Sequence, residues 1–234
     1  GGEEVKTFHG GSSPFVERPF FHDAEIDQMC EDALRNVSLL PGAPEPVRIE
    51  RFIEKHFKVT PTYEDLPKGV LGFTSFSKNG VASIHVANAL LEDETKVAER
   101  RLNSTLAHEA GHGLMHAYLF AFHEAGLSVF GKDPDVSSTK VLCRDADRPG
   151  NGGYDGRWWE LQANKAIGSL LLPRPAFKIA VEPFLARCGD DRKWTVSPER
   201  LKEATRTLAE TFEVNPVVVQ IRIKAFYPFE SETP

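Results

Sequence analysis

His108-Glu109-Ala110-Gly111-His112 places two imidazoles four residues apart, with a carboxylate beside the first. On a helix that spacing leaves His108 and His112 roughly 40° apart and one turn from each other. Two rings so placed can bind one metal ion without bending the backbone. Glu109 then lies beside them, where a carboxylate can take a proton from a water activated by that metal. The spacing is the signature of zinc-dependent peptide hydrolysis. An ordinary helix can also carry these five residues by chance, so the remaining ligands decide.

A catalytic zinc site needs three protein ligands and a fourth position left open. His116 lies about 12 Å along the helix from His108, too far to share a metal with it. His123 is farther still. The extended pattern H-E-x-x-H-x-x-G-x-x-H needs glycine at 115 and histidine at 118, where this chain has Met115 and Tyr118. Glu160 fits better, because it opens a second helix downstream, although glutamates on helices are usually solvated. Asn164, one turn later, would face the same way and could orient His108 or His112 through its side-chain oxygen.

The elements that must hold these residues can be read from hydrophobic spacing. Asp23 can cap a helix carrying Ile26, Met29, Cys30, Ala33, Leu34 and Val37, and prolines between Pro41 and Pro46 break it. A second helix carries Val47, Ile49, Phe52, Ile53 and Phe57. From Lys58 to Val86 the β-formers predict a short antiparallel sheet, with Asn79-Gly80 as a hairpin turn and His85 in the last strand. Thr95 to about Leu119 reads as the metal helix. Gly111 and Gly113 would each cost it about 1 kcal/mol, which makes sense if something packs closely there.

Residues 126–156 read as loop-rich and could border the cleft. Trp158–Leu172 reads as a helix stopped by Pro173, Pro198–Phe212 as one capped by Ser197, and Pro216 to about Phe226 as a short apolar helix. The division expected is an arm over 1–22, a peptidase domain over 23–196 and a C-terminal helical subdomain over 197–234. The class expected is α+β: a zincin-like metal helix beside a small antiparallel sheet, with additional C-terminal helices.

The 234 residues are 41% hydrophobic and 26% charged, which fits a globular chain with a sizeable core. A net charge of −6 argues against a chain built mainly to hold nucleic acid. The three cysteines form no C-x-x-C pair, which points to a reduced setting. No run of 18 apolar residues offers a membrane span. Gly1-Gly2-Glu3-Glu4 lacks the basic and apolar regions of a signal peptide, so a cytoplasmic protein is expected.

These motifs, in this order, resemble the ImmA/IrrE family of metallo-endopeptidases. The likeness runs from about Pro46 to Phe226. It rests on Asp65-Leu66-Pro67-Lys68-Gly69-Val70-Leu71-Gly72, Arg100-Arg101 and Thr105-Leu106-Ala107 before the H-E-x-x-H. Downstream it rests on Glu160-Leu161-Gln162-Ala163-Asn164 through Pro173, and on Leu208–Val214 with Ile221-Arg222. The chain departs from the family in Lys165-Ala166-Ile167-Gly168, after the asparagine, and in the long gap between His112 and Glu160. The resemblance implies Zn2+ held by His108, His112 and Glu160, with Glu109 as general base. It further implies a separate protein substrate, a DNA-binding transcriptional repressor, whose cleavage relieves repression of mobile-element or stress-response genes.

Tyr154, Arg157, His116 and His123 are candidate donors to an oxyanion, and the sequence does not choose among them. Phe73, Phe76 and the strand around His85 are candidate walls of the cleft. One rival is a non-catalytic regulator that binds a repressor or toxin through the same fold. The retained Glu109 favours the enzyme, since binding alone does not require that carboxylate. The other rival is DNA binding through the C-terminal helices, using Arg200, Lys202, Arg206, Arg222 and Lys224; a solvated helix face explains those charges more simply.

Overall fold

A computed structural model describes residues 7–8, 18–92, 94–129, 139–144, 157–188 and 193–228. A two-residue strand pair, β1 (Thr7–Phe8) and β2 (Arg18–Pro19), precedes the first helix. That helix, α1 (Asp23–Asn36), starts one residue earlier than expected, with His22 at the cap position. Its boundary is made by the backbone N–H of His22 donating to the Glu25 carboxylate at 2.5 Å. Ile26, Cys30, Ala33 and Leu34 are buried, the 3–4 spacing of one helix face. Helix α2 (Ile49–Phe57) buries Phe52 and Ile53 and ends at Lys58, whose φ of 62° is left-handed.

The sheet has the order β3-β5-β4-β6, from β3 (Thr62–Glu64), β4 (Val70–Ser77), β5 (Gly80–Ala87) and β6 (Thr139–Arg144). The expected hairpin joins β4 to β5, and Gly80 takes the φ of +108° that its turn requires. Two expectations are corrected here. Strand β3 runs parallel to β5 rather than antiparallel. The stretch read as loop-rich contains β6, which pairs antiparallel with β4. The remainder of that stretch beyond Val129 and outside β6 lies outside the described residues, as does most of the 1–22 arm.

Helix α3 (Lys96–Val129) continues past Leu119, the end that the residue pattern predicts. Helix α4 (Trp158–Leu171) stops before Pro173 as expected. Helix α5 (Arg174–Val181) and the hairpin of β7 (Leu185–Cys188) with β8 (Lys193–Val196) follow; neither was anticipated. Helices α6 (Pro198–Thr211) and α7 (Pro216–Phe226) close the chain, α7 capped by Asn215, whose side chain accepts from the Val217 N–H at 3.0 Å. The fold is α+β.

One hydrophobic cluster runs through the molecule, taking Leu34 from α1, Phe52 from α2, Ile84 from β5, Leu106 from α3, Leu170 from α4, Leu208 from α6 and Val219 from α7. The two last helices therefore turn their apolar faces into the same core as the metal helix. Arg222, expected on a solvated face, is buried and pairs with Asp27 at 2.6 Å. Arg200 donates to the Pro183 carbonyl at 2.7 Å and lies over the Phe184 ring.

Gly111 sets the distance between α3 and α4. A Cβ there would stand 2.7 Å from Ala166 Cβ and 3.3 Å from Ala163 Cα. A Cβ at Gly113 would meet Phe57 Cζ at 2.7 Å and Val81 Cγ2 at 2.9 Å. Both contacts are the close packing that the two glycines suggested. Gly111→Ala is expected to destabilise the fold by about 1–3 kcal/mol from overpacking, less about 1 kcal/mol regained in helix propensity. It should also weaken metal binding, because α4 carries Glu160. A thermal melt and a metal titration on the same variant check both, and unchanged values in both would refute the spacing argument.

Candidate metal centre

His108 and His112 lie on α3 with ring centroids 4.7 Å apart and planes at 79°. Helix α4 crosses beside them and brings Glu160 from its first turn, where the helix dipole favours an ionised carboxylate. His108 Nε2 and His112 Nε2 are 3.0 Å apart, and Glu160 Oε2 lies 3.1 Å from the first and 3.5 Å from the second. These three atoms outline a triangle. A tetrahedral ion with bonds of about 2.0–2.1 Å has donor–donor edges of about 3.3 Å. The triangle's edges fit one face of such a tetrahedron.

The chemistry of the donors agrees with a cation. His108 Nδ1 lies 3.1 Å from Asn164 Oδ1, an acceptor, so the ring is protonated on Nδ1 and its Nε2 carries a lone pair. His112 Nδ1 is 3.0 Å from His116 Nδ1. Burial by itself would raise the Glu160 carboxyl, but with no cation among them His112 and His108 donate to it and hold it well below the usual range. A bound cation would take over that part and leave both rings their Nε2 lone pairs. Two imidazole lone pairs and a carboxylate converging on one buried point repel one another unless a positive charge sits among them. The buried His108–His112–Glu160 group can hold a metal ion.

Glu109 is fully buried, and its side chain is positioned by the sheet rather than by α4. Along β4 alternate residues face opposite ways. Gly72 and Thr74 face α3, and Thr74 Oγ1 donates to Glu109 Oε2 at 2.6 Å. A Cβ at Gly72 would come within 3.2 Å of Glu109 Oε1 and 2.8 Å of the His85 carbonyl, so the bare glycine leaves room for the carboxylate. Among the described residues Oε1 has no hydrogen-bond partner. Burial pushes the carboxyl up to about 8, against the pull of His108 and the Thr74 hydrogen bond. A bound dication nearby would draw it down again. One oxygen is thus fixed by Thr74 and the other is unpaired among the described residues.

The remaining candidates fall in different places. His116 is wholly buried and touches His112, and burial, with His112 beside it, lowers its imidazole to about 3, so it is neutral. Arg157 stands at the start of α4, half-buried. Tyr154 and the His123 side chain lie outside the described residues. Phe73 and His85 stack with centroids 4.3 Å apart, and the alternation of β4 puts them on the sheet face turned away from α3. They therefore stand on the opposite sheet face from the three donor atoms. His85 instead lies within 2.9 Å of Glu64 Oε1 and 2.8 Å of Ser83 Oγ. Phe76, beyond the bulge in β4, packs with Leu119 and Trp158.

Sequence reasoning missed Thr74 and Gln162, whose Oε1 lies 3.0 Å from His116 Nε2. No sequence spacing links Thr74 to Glu109, since the contact depends on how the sheet packs on α3. No protein-family model matches this chain, and no curated protein matches it. Among the described residues, no helix is long and apolar enough to cross a membrane.

Proposed function

We propose that this chain is a cytoplasmic zinc-dependent endopeptidase that cleaves a partner protein. The substrate class is a DNA-binding transcriptional repressor, following the motif likeness to the ImmA/IrrE metallo-endopeptidases. The observation that carries the reading is the triangle of His108 Nε2, His112 Nε2 and Glu160 Oε2, with the half-satisfied carboxylate of Glu109 on the same helix. When bound, zinc would supply a Lewis acid that polarises a peptide carbonyl and acidifies a water molecule. Glu109 takes the proton from that water through Oε1 and later gives it to the leaving amine. Thr74 keeps the carboxylate facing one way through both transfers. Asn164 holds His108 in the tautomer that leaves Nε2 available.

Glu109→Gln tests this role, because the amide keeps the shape and cannot accept the proton. Metal content should stay at the wild-type level while cleavage of a repressor processed by the wild type falls about 10²–10⁴-fold. Products are read by mass spectrometry. Cleavage at the wild-type rate would remove Glu109 from the mechanism.

A second reading, a regulator that binds a repressor or toxin without cutting it, is favoured by the burial of His108, Glu109, His112 and Glu160, each at most 5% exposed. It predicts a stable stoichiometric complex with intact partner, equally strong for the wild type and for Glu109→Gln.

A further inference from the structure

We propose that His116 and Gln162 form a neutral two-residue relay that positions His112 for the metal by fixing which of its ring nitrogens carries the proton. The inference rests on the metal-site reading and deepens it. Its basis is a chain of two buried contacts linking three residues, on the side of His112 away from Glu160. His112 Nδ1 meets His116 Nδ1 at 3.0 Å, and His116 Nε2 meets Gln162 Oε1 at 3.0 Å. All three residues are buried, His112 and His116 completely.

Two Nδ1 atoms at hydrogen-bond distance must share one proton, so one ring donates and the other accepts. Gln162 decides which. Its carbonyl oxygen is an acceptor, so His116 must donate from Nε2. A neutral imidazole that donates from Nε2 has a lone pair on Nδ1. His116 Nδ1 therefore accepts, and His112 must be protonated on Nδ1. Only that tautomer leaves His112 Nε2 with its lone pair directed at His108 Nε2 and Glu160 Oε2. The Trp158 ring packs against His116 in a T-shaped contact, with centroids 5.7 Å apart and planes at 78°.

The two histidine ligands are thus held by different devices. His108 leans on an amide, Asn164, whereas His112 leans on an imidazole backed by an amide. Both devices are uncharged. A carboxylate in either place would orient the ring equally well but would add negative charge to a site that already contains ionised Glu160. With neutral outer groups, two imidazoles and one carboxylate leave a bound dication with net positive charge, which preserves its pull on a substrate carbonyl. His116 touches neither the three donor atoms' meeting point nor a substrate, so it is a positioning residue.

The test uses zinc itself as probe. Zinc affinity is measured by competition with a chromophoric chelator for the wild type, Gln162→Leu, Gln162→Glu and His116→Phe. Gln162→Leu keeps the volume and removes the acceptor, and its affinity should fall about 10–100-fold. His116→Phe should lose at least as much, while Gln162→Glu, which restores an acceptor, should bind at or above the wild-type level. The metal-free Gln162→Leu protein should melt somewhat below the wild type, because the buried His116 N–H loses its acceptor, but stay fully folded at the temperature of the titration, which separates positioning from unfolding. A readout that needs no variant is histidine ring ¹⁵N NMR of the zinc-loaded wild type. It should show His112 protonated at Nδ1 and His116 protonated at Nε2 only. The opposite tautomer on His116, or equal affinities for wild type and Gln162→Leu, overturns the relay and leaves the metal site standing. A wild type that binds no zinc overturns both.

Discussion

Glu160→Ala is expected to empty the metal centre, taking metal content from about one ion per chain in the wild type to near none. The lone pairs of His108 Nε2 and His112 Nε2, 3.0 Å apart, would remain, but two imidazoles hold zinc poorly without a third ligand. The loss should exceed the roughly 10–100-fold that changes outside the ligand set bring. Its electrostatic part is large, because Glu160 contributes the charge of the donor set and is buried where screening is weak. Metal analysis after purification without chelator, on wild type and variant, decides the point. A variant that keeps its metal would show that another group supplies the third ligand. Glu160→Gln gives a finer reading: its oxygen can still coordinate, but without the charge, so binding should weaken rather than vanish.

The parts of this site differed in how legible they were. That His108 and His112 share a helix face follows from a local rule, the 3.6-residue period, and so needs only neighbouring residues. Asn164 lies one turn after Glu160 by the same rule. The meeting of the two helices is not local: it depends on Gly111 admitting Ala163 and Ala166, and the sequence could suggest only that something packs there. His116 shows a sharper limit. The sequence offers it as a ligand for the ion at His108, where distance rules it out, and as a donor to an oxyanion, but not as a partner of His112. Its spacing of four from His112 already placed the two rings on one face, and that signal was available.

Thr74 had no such signal, because a hydroxyl on a β-strand becomes a partner of Glu109 only when the sheet docks on α3. Strand direction was equally hidden. Tyr63 and its neighbours read as β-formers, but pairing parallel to β5 is decided by the route of the chain between them. Strand β6 was masked by its surroundings: Val141-Leu142-Cys143 is a short β-forming run among glycine, proline and aspartate, which dominate a reading by local punctuation.

Arg222 was misplaced for a related reason, and it supports the second large prediction. On α7 it stands among valines and isoleucines, and a charge in that company requires a partner that the sequence does not reveal. The partner is Asp27, near the other end of the chain. Asp27 Oδ1 accepts from Arg222 Nη1 at 2.6 Å and from Ser169 Oγ at 2.6 Å, while Arg222 Nε and Nη2 donate to the Leu172 carbonyl at the end of α4. The pair therefore ties α1, α4 and α7 together behind the helix that brings Glu160. Asp27→Ala would leave a guanidinium buried without its counter-ion, and stability is expected to fall by about 3–5 kcal/mol. Denaturant unfolding gives the change as a shift of midpoint at constant slope.

One neighbour can blunt this effect. Glu31 is buried, its carboxyl is raised by burial and by Asp27, and its Oε1 has no hydrogen-bond partner among the described residues. With Asp27 gone, one cause of that rise disappears and Arg222 is left without a counter-ion, so Glu31 becomes the natural replacement. The Asp27→Ala loss should then sit at the lower end of the range, and adding Glu31→Gln should deepen it by more than Glu31→Gln costs alone. Replacing both partners, as Asp27→Leu with Arg222→Met, removes the buried charges together and should restore most of the stability lost in Asp27→Ala. If the paired replacement is as unstable as the single one, the ion pair is not what holds the three helices, and the apolar contacts of Val218, Val219 and Ile223 carry the join instead.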